Sequence, residues 1–153
     1  MTRVTIVALF YALCYFASSL AVTFQDCGSK SGKFTEILVS GCEMTQENCI
    51  LKRGTNASIS IKFIPNKDIS QVKVRVYGVL VHVPVPFPFQ KSDACNDPDD
   101  GITCPLKKNQ EYHYTTTLFV EKKYPKVNVD IEWKLVDEAN ENIVCIEFPA
   151  KVQ

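Results

Sequence analysis

Sulfur is the most conspicuous reactive element in this chain. Seven cysteines are spread over 153 residues: Cys14, Cys27, Cys42, Cys49, Cys95, Cys104 and Cys145. No C-x-x-C occurs, and the two histidines, His82 and His113, are isolated, so the spacing does not foreshadow a tetrahedral zinc set. Nucleophilic chemistry is equally short of parts. A serine or cysteine nucleophile needs a positioned base. The chain shows no G-x-S-x-G, no H-E-x-x-H and no phosphate-binding glycine loop. The acidic run Asp97-Pro98-Asp99-Asp100-Gly101 lacks the longer spacing and the final Glu of an EF-hand, and reads as a solvated loop. The expectation is a protein that binds rather than catalyses, with neither metal nor cofactor.

The cysteines also report the compartment. Residues 1–21 combine a basic Arg3, an apolar run from Val4 to Phe16 broken only by Thr5, and small residues at Ser19-Leu20-Ala21. This pattern is a secretory signal, too short to span a bilayer, with cleavage expected after Ala21 and Ala17 as the alternative. Cys14 leaves with it. The remaining six cysteines, in an exported chain, predict three disulfides. Spacing alone leaves several pairings open. Cys42 with Cys49 and Cys95 with Cys104 would each clip a short loop, and Cys27 with Cys145 would then join the two ends. Residues 22–153 are the size of one domain, large enough to bury a core. The chain carries 17 Lys and Arg against 17 Asp and Glu. Loss of Arg3 leaves a net charge of −1, with no basic excess for nucleic acid. No later stretch is long and apolar enough for a membrane helix, which predicts a soluble mature protein. Asn56-Ala57-Ser58 is the one N-x-S/T sequon, a candidate glycan site that should lie on the surface.

The elements that position these residues are legible from alternation. Ile59, Ile61 and Phe63 alternate with Ser58, Ser60 and Lys62; Val72, Val74 and Val76 with Lys73 and Arg75. Tyr112, Tyr114, Leu118 and Val120 alternate with His113, Thr115 and Thr117. Val129, Ile131, Trp133 and Leu135 alternate with Asp130, Glu132 and Lys134, so Trp133 should look inward with Val129 and Ile131. Each is a half-buried antiparallel strand by pattern and β-branched content. Phe34 to Val39 and Ile143 to Phe148 add two more, and turn chemistry at Pro65-Asn66-Lys67-Asp68 and Asp137-Glu138-Ala139-Asn140 separates neighbours. No segment has a helical period. About seven strands predict an all-β, immunoglobulin-like two-sheet β-sandwich. An immunoglobulin domain proper would place a cysteine pair across its sheets around a Trp; two local cysteine loops argue against that family.

The stretch Val83-Pro84-Val85-Pro86-Phe87-Pro88-Phe89 stands apart. Residues before proline are held extended, so Val83, Val85, Phe87 and Phe89 share one face. The prolines remove backbone donors from one edge only, which makes this an edge strand or one peeling from its sheet. Its apolar stripe reads as the rim of an opening, or as an edge blunted against aggregation.

Taken in order, Phe24-Gln25-Asp26-Cys27-Gly28, Gly78-Val79-Leu80, Val83 to Pro88, Cys104-Pro105, Tyr112-x-Tyr114, Tyr124-Pro125 and Ile131-Glu132-Trp133 resemble the Niemann–Pick type C2 branch of the ML (MD-2-related lipid-recognition) family. The resemblance spans nearly all of residues 22–153. It implies a sandwich with a lipid slot between its sheets, and pairing of Cys27 with Cys145, Cys42 with Cys49 and Cys95 with Cys104. It also implies sterol binding at a mouth near Phe87, Val120 and Tyr124, with Val81, Pro125 and Val127 around it. Such a protein would act as a monomer in the extracellular fluid or the lysosomal lumen. It would transfer sterol through transient contact with membranes or a membrane sterol transporter, and Lys122, Lys123 and Lys126 could approach anionic headgroups there. The alternative is an extracellular carrier or recognition module for fatty acids, chemical signals or microbial lipids. The mammalian members carry Met-Gly where this chain has Val81-His82, and Leu-Pro-Val where it has Leu118-Phe119-Val120, so the mouth should differ in shape.

Overall fold

The computed structural model describes residues 22–43 and 45–153; the signal expected at residues 1–21, with its cleavage site, lies outside the described residues. The described residues form nine strands and no helix: β1 (Gln25–Asp26), β2 (Gly32–Val39), β3 (Cys49–Leu51), β4 (Thr55–Pro65), β5 (Lys73–Leu80), β6 (Val83–Phe87), β7 (Tyr112–Val120), β8 (Asn128–Val136) and β9 (Asn142–Val152). They make two sheets. The larger runs β1-β9-β8-β5-β6, with β3 also on β9; the smaller runs β2-β4-β7. Pairing is antiparallel except for β3 on β9. The architecture is the expected all-β sandwich.

The period of two decides which residues meet. On β4, Ile59, Ile61 and Phe63 are buried while their neighbours are not. On β8 the matching row is Trp133 and Leu135, and on β5 it is Val74 and Val76. Facing rows interdigitate into one core with Tyr114, Val144, Ile146 and Phe148. Strand β9 is buried almost continuously: Val144, Ile146 and Phe148 belong to the core, and on the opposite face the disulfide to Cys27 covers Cys145. That explains why Ile143 to Phe148 reads as an apolar run rather than an alternation.

Two strands carry no pattern of their own. Strands β1 and β3 are two and three residues long. Their places are held covalently: Cys27 bonds Cys145 on β9, and Cys42 bonds Cys49 at the start of β3. The third disulfide, Cys95–Cys104, closes the acidic loop after β6.

Strand β6 sits at the free edge of the larger sheet, paired with β5 alone. Pro84 lies opposite Val79, and Pro86 opposite Tyr77. Backbone donors alternate between strand edges, so the missing N–H groups fall on the open side, while Val83, Val85 and Phe87 keep theirs toward β5. Proline blocks a further strand and leaves the apolar stripe lining the gap between the sheets.

Candidate lipid-binding site

The same strands are solidly packed toward one end of the sandwich and part at the other. At the packed end, Phe63, Ile69, Leu106, Leu135 and Ile143 have no exposed surface. At the other, the inward residues enclose a cavity of about 330 Å³, at the lower end of the range for small-molecule sites. The smaller sheet contributes Ala57 and Ile59 from β4 and Thr116, Leu118 and Val120 from β7. The larger sheet contributes Val76, Gly78 and Leu80 from β5, Val85 and Phe87 from β6, and Val129, Ile131 and Trp133 from β8. Phe148 and Val152 of β9 complete that wall. Each sheet puts one small residue on the space: Ala57 of β4 has one methyl and Gly78 of β5 none. A Cβ at Gly78 would already lie 3.2 Å from Val129 Cγ2, so the glycine keeps this wall open.

Two aromatic pairs close the C-terminal end of the β6 stripe. Phe87 packs edge-on against Tyr124 with ring centroids 5.5 Å apart, and Phe89 packs likewise against Trp133 at 5.2 Å. Tyr124, Pro125 and Val127 belong to the β7–β8 connection and line the cavity at this side. The connection is held by Arg53, whose guanidinium Nη1 donates to the carbonyl oxygens of Lys122 (3.0 Å) and Tyr124 (3.1 Å). Burial, with the negative charge of Glu121 nearby, pushes the Tyr124 hydroxyl above its usual range, so it stays neutral.

Among the described residues, no Asp, Glu, Lys, Arg or His lines the cavity. An ion brought inside would lose its hydration without compensation. The space therefore suits an apolar body whose polar group remains at the opening. It holds no nucleophile with a base. The serine–histidine contact among the described residues, Ser60 Oγ with His113 Nε2, lies on the exposed outer face of the smaller sheet. Among the described residues, the one cluster with metal-ligand spacing is Cys27, Glu132 and Cys145, whose two sulfurs are already bonded to each other.

Of the residues that the sequence singled out, Phe87, Val120, Tyr124, Pro125, Val127 and Trp133 come together on this cavity. Val81 does not. Leu80 pairs with Val83, so Val81 and His82 form the two-residue turn of the β5–β6 hairpin, with φ of 49° and 65°. The turn projects Val81 into solvent, where it is 90% exposed. Pattern reading also passed over Gly78, Leu80, Leu118 and Phe148. Alternation placed Leu118 on the inner face, but alternation does not separate a core position from a cavity wall. Arg53 carried no signal, since its role is to bond a connection 69 and 71 residues away.

An uncharged apolar cavity held between the sheets of a β-sandwich defines a lipid-recognition domain. The sequence pattern of the ML domain matches residues 21–152, and the chain belongs to that family. It is similar to NPC intracellular cholesterol transporter 2 homolog a of Drosophila melanogaster, 44% identical over 153 residues and covering all of both chains. It is 37% identical over 153 residues to NPC intracellular cholesterol transporter 2 of Bos taurus, covering 100% of this chain and 99% of that one. Among solved structures, a Niemann-Pick type C2 protein from the Japanese carpenter ant superposes with a TM-score of 0.84 at 44% identity, over 86% of this chain and 99% of that one.

Proposed function

We propose that the protein is a sterol carrier: it takes a free sterol between its sheets and passes it to a membrane or to another protein. The observation that carries this is the cavity wall, apolar but for Ser58, Thr116 and two tyrosines, and free of Asp, Glu, Lys, Arg and His among the described residues. A sterol is a rigid apolar plate with one hydroxyl, and its desolvation supplies about 25 cal/mol per Å² of apolar surface buried. Phe87, Val120, Tyr124, Pro125, Val127 and Trp133 are the contacts, with the hydroxyl left at the opening near Tyr124. The cholesterol transporters among its relatives support the same reading.

No bond is made or broken in this mechanism, and neither metal nor cofactor takes part. The carrier acts as a monomer after export and loss of residues 1–21, in extracellular fluid or the lumen of acidic organelles. Transfer occurs on collision. Leu80, Val81, Val83 and Val85 present exposed apolar surface along the β5–β6 hairpin, and Lys122, Lys123 and Lys126 are exposed on the neighbouring connection. An apolar tip beside a basic connection suits brief contact with anionic headgroups.

Trp133 reports occupancy directly, being the only Trp and part of the wall. A fluorescent sterol should quench its emission or accept energy from it, saturably and at one site per chain. Displacement by cholesterol but not by fatty acid supports the sterol reading. Binding of fatty acid without sterol would transfer the same cavity to the alternative carrier role.

A further inference from the structure

Among the described residues, two large apolar side chains away from the β5–β6 hairpin are strongly exposed, Leu38 and Phe119. Phe119 is 51% exposed on the outer face of the smaller sheet. Its surroundings there are polar: Ser58 pairs with Thr117, Ser60 with Thr115 and Lys62 with His113. The residue directly opposite Phe119 is Asn56, which is also exposed. Asn56 opens the sequon Asn56-Ala57-Ser58. Ala57 turns inward to the cavity, so Asn56 and Ser58 both point outward.

We infer that Asn56 carries an N-linked glycan whose first N-acetylglucosamine lies over the ring of Phe119. Side chains directly opposite in an antiparallel pair have Cβ atoms roughly 4.5–5.5 Å apart. A sugar attached at Asn56 Nδ2 thus starts within reach of the ring. One face of the pyranose presents C–H groups, and these match the negative face of an aromatic ring. In the transfer, Nδ2 forms a bond to the anomeric carbon of the sugar. The bond from that carbon to the diphosphate of a lipid-linked oligosaccharide donor breaks. The diphosphate leaves with the electron pair, and Nδ2 gives up one proton. The sugar turns an exposed Phe into a covered one and keeps this flank of the sandwich in solvent. The inference rests on the export reading, because the donor is met only in the secretory pathway.

The test is expression of the full chain in animal cells, with peptide mass analysis of the secreted protein. Thermal unfolding is then compared for the glycosylated protein, for the form trimmed enzymatically to one N-acetylglucosamine, and for Asn56→Gln. Both sugar-bearing forms should melt above Asn56→Gln by a similar margin. In the Phe119→Thr background that margin should collapse. Export with a bare Asn56 overturns the glycan. Retention in the cell with residues 1–21 attached overturns the export reading and the glycan with it. A glycosylated Asn56 whose stabilisation is unchanged in Phe119→Thr overturns the contact. So does a Phe119→Thr variant that loses binding to anionic phospholipid vesicles, since the ring would then be facing a membrane.

Discussion

At the scale of single residues, Phe87 and Gly78 divide the work of the cavity. Phe87 supplies surface on the β6 stripe and a partner for Tyr124; Gly78 supplies absence. Phe87→Ala should weaken sterol binding at least tenfold and cost roughly 2 kcal/mol of stability, less than for a fully buried Phe. Equilibrium binding and denaturant unfolding on the same preparation separate the two effects. Tyr124→Ser removes the other ring of the pair and should lower affinity with less harm to the fold. Gly78→Leu acts from the opposite direction. Its side chain would enter the space beside Val129, so binding should fail while the folded β5 is retained, as circular dichroism and Trp133 emission would show. Unchanged sterol affinity in all three variants would place the ligand elsewhere.

The element with a conflict built into it is the β5–β6 hairpin. Two-residue hairpin turns favour Asn-Gly because both central residues adopt positive φ. Here those residues are Val81 and His82. A β-branched side chain in the left-handed region is an outlier, at a cost of roughly 1–2 kcal/mol per residue. Replacing Val81-His82 by Asn-Gly should therefore raise stability by about 1–2 kcal/mol in urea unfolding. The same change removes the exposed valine from the tip. If that tip contacts membranes, transfer of sterol to vesicles should slow although equilibrium binding in solution is unchanged. Faster or equal transfer would assign the contact to another surface.

For the whole molecule, two buried carboxyls set the response to acid. Asp137 is 1% exposed. Burial pushes its carboxyl up, but Lys67 at 2.7 Å, the backbone N–H groups of Glu141 and Ala139, and the Ser31 hydroxyl outweigh it and hold it below its ordinary 3.8. Its stabilisation is present above pH 3.8 and is lost as pH falls through the lowered folded value. Asp100 behaves oppositely. It is 1% exposed, and burial raises it above 3.8. Its Oδ1 accepts from the Ile102 N–H, while Oδ2 has no partner among the described residues. It destabilises the fold above its raised value, and that cost fades as pH falls toward 3.8. Stability should thus hold or rise on mild acidification and drop only below about 3.8. Unfolding measured across pH checks this. Asp100→Asn should remove the gain on acidification. Asp137→Ala should cost roughly 1–3 kcal/mol at neutral pH, through donors left unpaired, and cost less in strong acid, where the wild-type carboxyl is protonated too.

The sequence by itself indicated the sandwich, because a period of two on β4, β5, β7 and β8 calls for apolar rows facing a core with polar faces outward. It also barred β6 from a central place, since proline cannot donate to a second neighbour; that β6 is a paired edge rather than a strand peeling away was decided by the structure. The inward aim of Trp133 followed from the parity it shares with Val129 and Ile131. Three further matters were decided only in three dimensions. Strands β1 and β3 are too short to show a pattern, and they exist because disulfides and β9 hold them in place. Val81 left the cavity because a hairpin turn, invisible without Asn or Gly to announce it, turned its side chain into solvent. The boundary between solid core and cavity came last. Ile61 and Ala57 lie on the same face of β4, yet one is packed against the opposite sheet and the other borders empty space. Parity tells a side chain which way to point; the separation of the two sheets at that level decides whether anything is there to meet it.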